Sequence, residues 1–287
     1  MAETTATVKP TTSVQAKKSS NIISLLAPVL CLITGYVIWR FGLGNPSNFG
    51  QPVIAGDTGW FWPGRHDPHS ALSKMYLGGI IVPVLIGTFL TMAVFAVERF
   101  MTISKARGTG NNADFVRKVQ YQLANKNVDA ALAECDKQKG SVGNVMKAGL
   151  HRYKEMITNT ELSTEQKVLA IQKEVEEATA LELPMLEKNL VFLSTIASLA
   201  TLIGLLGTVV GMIRAFAGLG EDSGGAGSAA QLSIGISEAL YNTALGIGTS
   251  AFAIMFYNIF TTKIDSITYG IDESGFTLTQ TFASLYK

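Results

Sequence analysis

Charged side chains vanish from four stretches of the chain: 22–39, 75–97, 189–213 and 239–262 contain no Asp, Glu, Lys or Arg. A helix needs about 20 apolar residues to cross a bilayer, with a range of roughly 17–25. It also satisfies its own backbone hydrogen bonds in lipid, which an open strand does not. All four stretches are long enough. The pattern predicts an all-α, polytopic membrane protein with four transmembrane helices. Helices of globular cores commonly run about 8–20 residues, so four long uncharged runs do not fit a soluble fold. The first run follows a polar leader and is trailed by Trp39, Arg40 and Phe41 rather than by a small-x-small cleavage site. It reads as a retained helix, not a cleaved signal peptide.

The polar segments between the runs set the expected domains. Residues 1–21, rich in Thr, Ser, Ala and Lys, read as a disordered cytoplasmic tail. The membrane helices are expected at 22–41, 75–97, 189–217 and 229–262. They are joined by a periplasmic loop at 42–74, a cytoplasmic helical domain at 98–188 and a Gly-rich periplasmic turn at 218–228, with a cytoplasmic tail at 263–287. Trp60 and Trp62 suit an interfacial position in the first loop. In the middle segment, Phe115, Val116, Val119 and Leu123 share one helix face after an expected N-cap at Asp114. Val128, Ala131, Leu132 and Cys135 resume that pattern after a turn at 125–127. Ser163 and Gln166 spell a capping box, opening a helix that should extend towards the membrane and kink at Pro184.

Composition sharpens this. Charged residues make up 16% of the 287 residues, against roughly 25% in an average soluble protein. The net charge is +1, so no basic excess points to nucleic acid. Of the 45 charged residues, 27 fall in 98–188, and 14 of those are Lys or Arg. Lys9, Lys17 and Lys18 precede the first run, while 219–237 holds no Lys or Arg. The positive-inside rule then places both termini and the middle segment in the cytoplasm, with Arg40, Arg65 and Lys74 counting against it. Cys31 lies in a membrane run and Cys135 in the middle segment, so the two are not expected to pair.

The last two runs carry the candidate chemistry. Ser194, Thr201 and Thr208 recur every seven residues, as do Ala197, Gly204, Gly211 and Gly218, and Gly207 with Gly211 forms a GxxxG pair. In the fourth run Ala239, Thr243, Gly246, Ser250 and Ala253 alternate steps of four and three. Small residues let helix backbones approach closely in lipid. These stripes read as a tight helix interface that also lines a polar passage. Glu238 stands at the edge of the fourth run. In a helix beginning near Ala229 it lies about 13 Å down, at ~1.5 Å per residue. A carboxylate there costs roughly 2.5–3.5 kcal/mol on insertion scales, so it asks for a reason. Asn242 and Thr249 fall near its face, whereas Thr243 lies about 140° away. The four runs hold no Asp, Lys, Arg or His. A self-sufficient proton pump carries titratable relay groups in the membrane, so either this chain moves no protons alone or a partner supplies the missing carboxylate.

Other chemistry is thin. His66, Asp67 and His69 form one short cluster without a third firm metal ligand. The Gly-rich 218–228 turn lacks the lysine of a phosphate loop. No nucleophile–base pair or metal constellation suggests an enzyme or a cofactor.

The stretches Leu-Pro-Met-Leu at 183–186, 203–213 with its G-L-x-G-T-V-x-G, and 236–246 with its E-A-L-x-x-T-A-x-G resemble the MotA/TolQ/ExbB proton-channel family, its ExbB branch most closely. The resemblance runs from about 77 to 260. It implies a pentamer in the bacterial inner membrane, with the last two helices lining a central pore. ExbD-type single-span subunits occupy that pore in the family, and their membrane Asp carries the proton. A TonB-like protein is the further partner, and the implied function is coupling proton motive force to TonB-dependent outer-membrane transport. By match, Thr208 and Thr243 take the place of pore threonines and Glu238 of a pore glutamate. Thr201 and Asn242 join the polar lining, and Gly204, Gly207, Gly211 and Gly246 serve helix packing. The chain departs from the family plan in its extra first helix, in Thr201 where many relatives have Pro, and in Asn242 where Ala is common. A TolQ-like or motility load on the same engine is the alternative. A stand-alone transporter would show inverted repeats, which the sequence lacks.

Overall fold

The computed structural model describes residues 21–49, 70–221 and 226–286, and is helical throughout these apart from short connections. The expectations for 1–20, and for the His66 cluster, Trp60 and Trp62 in the first loop, lie outside the described residues. Helix α1 (Asn21–Val37) widens into a single π turn over Ile38–Leu43. A short α2 (Ala71–Leu77) precedes α3 (Ile81–Ala106). Then come α4 (Asn112–Ala124), α5 (Val128–Gln138), α6 (Gly140–Thr158) and α7 (Thr164–Glu187). Helices α8 (Leu190–Glu221) and α9 (Ala226–Leu285) complete the chain. Among the described residues, four helical stretches are long and apolar enough to cross a membrane: Leu26–Leu43, Ile81–Ala106, Thr164–Ala217 and Gly235–Leu285.

Helix α9 is 60 residues long, about 90 Å at 1.5 Å per residue, three times the ~30 Å hydrocarbon core of a bilayer. Its far half is the 263–287 segment that the charge pattern alone marks as a tail. There Ile264, Ile267, Ile271, Leu278 and Phe282 are buried against α6 and α7. This apolar core runs without interruption from Met92 and Ala200 in the membrane helices to Phe282. A smaller core sits at the opposite end, where Trp39 stacks on Tyr76 at 4.5 Å between ring centroids.

Two local expectations shift. The cap of α4 is Asn111, whose side chain accepts from the Ala113 N–H, and Asp114 lies within the first turn. Both fit a helix N-terminus, one as a hydrogen-bond acceptor and one as an anion facing the dipole. The 75–97 run is broken near its start, at Gly78–Gly79, where Gly79 takes φ +81°. The long helix leading to the membrane carries Pro184 inside it, as expected. It continues to Glu187 and turns at Asn189, which has φ +67°. Arg99 explains that position. Its buried guanidinium donates to the Met185 and Leu186 carbonyls at 3.4 and 3.2 Å, satisfying the free end of α7. Glu98 pairs with Arg99 and accepts from the Asn189 side chain at 3.2 Å. The expected capping box at Ser163 and Gln166 is present.

Candidate functional site

Helices α8 and α9 run antiparallel and touch along nearly their whole shared length, because glycine sits at each crossing point. A Cβ on Gly204 would lie 3.1 Å from the Gly246 Cα, and one on Gly246 would lie 2.6 Å from the Ala200 carbonyl oxygen. Further out, Gly207 faces Asn242, Gly211 faces Ala239, and Gly235 faces Ala215, each closer than a Cβ would tolerate. The four glycines singled out in the sequence are therefore all at the interface. Close approach in lipid is driven by packing and polar contacts, since apolar side chains gain nothing by leaving apolar solvent.

That proximity brings two threonines together. The hydroxyls of Thr208 and Thr243 are hydrogen-bonded to each other across the interface. Both also reach the Gly204 carbonyl, Thr208 at 3.4 Å and Thr243 at 3.2 Å. The hydroxyl that accepts from its neighbour donates to the oxygen of Gly204, which either threonine can reach because neither Gly204 nor Gly246 carries a side chain. A hydroxyl accepts and donates at once, so this pair can hand on a hydrogen bond. It cannot store a proton. Thr208 also borders a shallow apolar groove with Val209, Met212, Ile213 and Phe216 on the outer side of α8. Farther along the interface, Ser250 donates to the Ala197 carbonyl, closing the helices at the end nearer the helical bundle.

The remaining polar residues occupy other faces. Asn242 is only 2% exposed. It packs on Gly207 and donates to the Gly78 carbonyl at 3.1 Å, at the break between α2 and α3. Its Oδ1 has no hydrogen-bond partner. Asn242 thus ties the last helix to the α2–α3 junction inside one protomer, away from the Thr208 groove. Thr201 is half-buried on α8, one and two turns from the threonine pair. Glu238 is half-buried one helical turn before Asn242. Because α9 begins at Ala226, Glu238 lies twelve residues in, about 18 Å from the helix start at 1.5 Å per residue. The charge whose field reaches it is that of Arg214 on α8. The uncharged run in the sequence stops one residue short of Arg214, so its place inside a helix that continues to Glu221 was the signal to be read.

Among the described residues no three His, Cys, Asp or Glu side chains gather as a metal site. Cys31 and Cys135 are both free and buried. Burial pushes the Cys135 thiol up to about 12.

Residues 137–273 match the family model described as the MotA/TolQ/ExbB proton channel family. Curated relatives include a Synechocystis protein named putative biopolymer transport protein ExbB-like 3, 37% identical over 86 residues, which are 30% of this chain and 41% of that protein. The Tol-Pal system protein TolQ of Haemophilus influenzae is 38% identical over 100 residues, covering 34% of this chain and 39% of TolQ. The biopolymer transport protein ExbB of Salmonella typhimurium is 36% identical over 75 residues, 26% of this chain and 30% of that protein. The chain therefore spans about two-fifths or less of the length of these relatives.

Proposed function

We propose that the chain, whose residues 137–273 match the MotA/TolQ/ExbB proton channel family, is a member of that family and an inner-membrane proton-channel subunit coupling proton motive force to TonB-dependent outer-membrane transport. In this reading both termini and the helical bundle are cytoplasmic. The chain forms a homo-oligomer, a pentamer by resemblance, whose α8 and α9 surround ExbD-like single-span subunits and act on a TonB-like protein. The threonine pair over the Gly204 carbonyl is the observation that carries the reading. It supplies a hydrogen-bond step on a membrane helix face that has no carboxylate of its own, which suits a proton carried on a partner's side chain. Thr208, Thr243 and Glu238 are the residues proposed for the proton pathway, with Thr201 bordering it and Asn242 positioning α9.

Thr208→Val keeps the shape and removes the hydroxyl. It is expected to abolish energised uptake while the complex still assembles. Normal uptake in both Thr208→Val and Glu238→Gln strains would overturn the proposal. The match to TolQ, at 38% identity, favours a second load for the same engine, maintenance of the envelope by Tol-type proteins. Identification of the single-span protein that co-purifies with the chain separates the two.

A further inference from the structure

Beside the membrane-spanning part, the C-terminal end of α3, the middle of α9 and the start of α4 enclose a half-open cleft of about 750 Å³. Two cations line it, Arg107 just past the end of α3 and Lys263 on α9. Neither has an ion-pair partner among the described residues. The ammonium of Lys263 instead lies 5.1 Å over the Phe100 ring. Ser266, Tyr269 and Asn112 add polar groups, and Glu273 is the carboxylate on the wall. Gly270 lets α4 approach, since a Cβ there would sit 2.8 Å from the Asn112 amide nitrogen.

The height of the cleft decides what fits it. Lys263 is the first charge after the last uncharged run, and it lies level with Phe100, three residues past the end of the second run. Lys263 therefore stands at the depth of lipid headgroups and Arg107, seven residues past Phe100, about 10 Å further from the membrane, while Glu273 lies ten residues beyond Lys263 on α9, about 15 Å away at 1.5 Å per residue. On the membrane side, Val97, Phe100, Met101, Met255 and Ile259 are exposed, a ready apolar surface for acyl chains. An unpaired Arg and Lys above such a surface match a phosphodiester: the guanidinium presents a fork to phosphate oxygens and the ammonium a point charge. Basic pockets between membrane helices bind anionic headgroups in this way.

We propose that this cleft holds the phosphate of an anionic phospholipid from the leaflet facing the helical bundle, with Arg107 and Lys263 as its ligands. The chemistry is that of a phosphoanion, and the lipid is the source committed to because the apolar surface adjoins the cations. The purified chain is placed in nanodiscs of phosphatidylcholine with a minor fraction of phosphatidylglycerol, and the lipid retained on gentle release is measured by native mass spectrometry. Wild type is expected to retain phosphatidylglycerol over phosphatidylcholine. Arg107→Gln with Lys263→Gln should lower that preference about thirtyfold, from a worth of roughly 1 kcal/mol per basic residue near the surface. Glu273→Gln should strengthen it, a gain that a misfolded variant would not show. Unchanged retention in the double variant would overturn the site. So would loss of retained lipid on adding inorganic phosphate at constant ionic strength, since that would make the ligand a soluble anion. Helical content by circular dichroism, unchanged in the variants, keeps loss of the fold from imitating loss of the site.

Discussion

At Gly204 two demands meet, close backbone approach and an acceptor within reach of two hydroxyls. The residue-scale predictions follow from that. Gly246→Ala puts a methyl group 2.6 Å from the Ala200 carbonyl, a backbone atom that cannot swing away. It should lower the thermal stability of the purified protein by the equivalent of about 1–3 kcal/mol, as overpacking does. Gly248→Ala, two residues on, meets nothing within 4 Å and should leave the unfolding midpoint unchanged. Helix propensity favours Ala over Gly, so a midpoint that falls equally in both would mean that the contact at Gly246 is not the cause. Cys135 makes a second prediction. Its folded-state value of about 12 stands above the ordinary 9.0 because burial disfavours the thiolate. The native state then holds a proton that the unfolded state gives up, so this group's contribution is full below pH 9 and is lost as pH rises towards 12. Iodoacetamide at pH 8.5 should label Cys135 in denaturant and spare it in the folded protein. Rapid labelling of the native chain would show that the thiol is not enclosed.

The elements of the fold were legible in proportion to how local their causes are. The four runs, the capping box at Ser163 and the turn at 125–127 rest on short-range rules, and the helices follow them. The glycine and threonine stripes were legible too, because a period of seven repeats on one face of each helix. The tie between Asn242 and Gly78 was not, since it joins residues 164 positions apart and depends on a helix break at Gly79 that no apolar pattern marks. The break at Asn189 was not legible for the same reason. Pro184 is a local signal, whereas Arg99, which caps the α7 carbonyls, arrives from another helix. Removing Arg99 tests that account. Arg99→Ala leaves the end of α7 and the part-exposed Glu98 carboxylate without their partner. Native hydrogen exchange should accelerate at the α7–α8 junction first. Unchanged protection there would place the cause of the break elsewhere.

For the whole molecule, the division of labour lies along α9. One half lines the membrane interface with α8, and the other is built into the helical bundle through Ile271, Leu278 and Phe282. Large apolar side chains stay exposed along α8, among them Leu202, Val209 and Ile213, and along α9, among them Leu240 and Ile247. Lipid covers some of this surface, and in the proposed assembly neighbouring copies and single-span partners cover the rest. Helix α1 packs on α3 where Gly35 meets Gly87, a Cβ on Gly35 falling 2.6 Å from the Gly87 nitrogen. It leaves the α8–α9 interface untouched, which is consistent with an added outer helix on a family core. Gly35→Leu should therefore detach α1, detectable as new protease sensitivity near 44–49, while the proposed oligomer of the remaining helices still forms. Loss of the oligomer would give α1 a role in assembly.

The central claim is that the Thr208–Thr243 seam passes protons only when a partner supplies the carrier. Proton flux into liposomes under an imposed potential, with the chain alone, with its co-purified single-span partner, and with that partner plus Thr208→Val, tests it most directly. The account predicts flux in the second case alone. Equal flux from the chain by itself, or no loss on replacing Thr208, would contradict it.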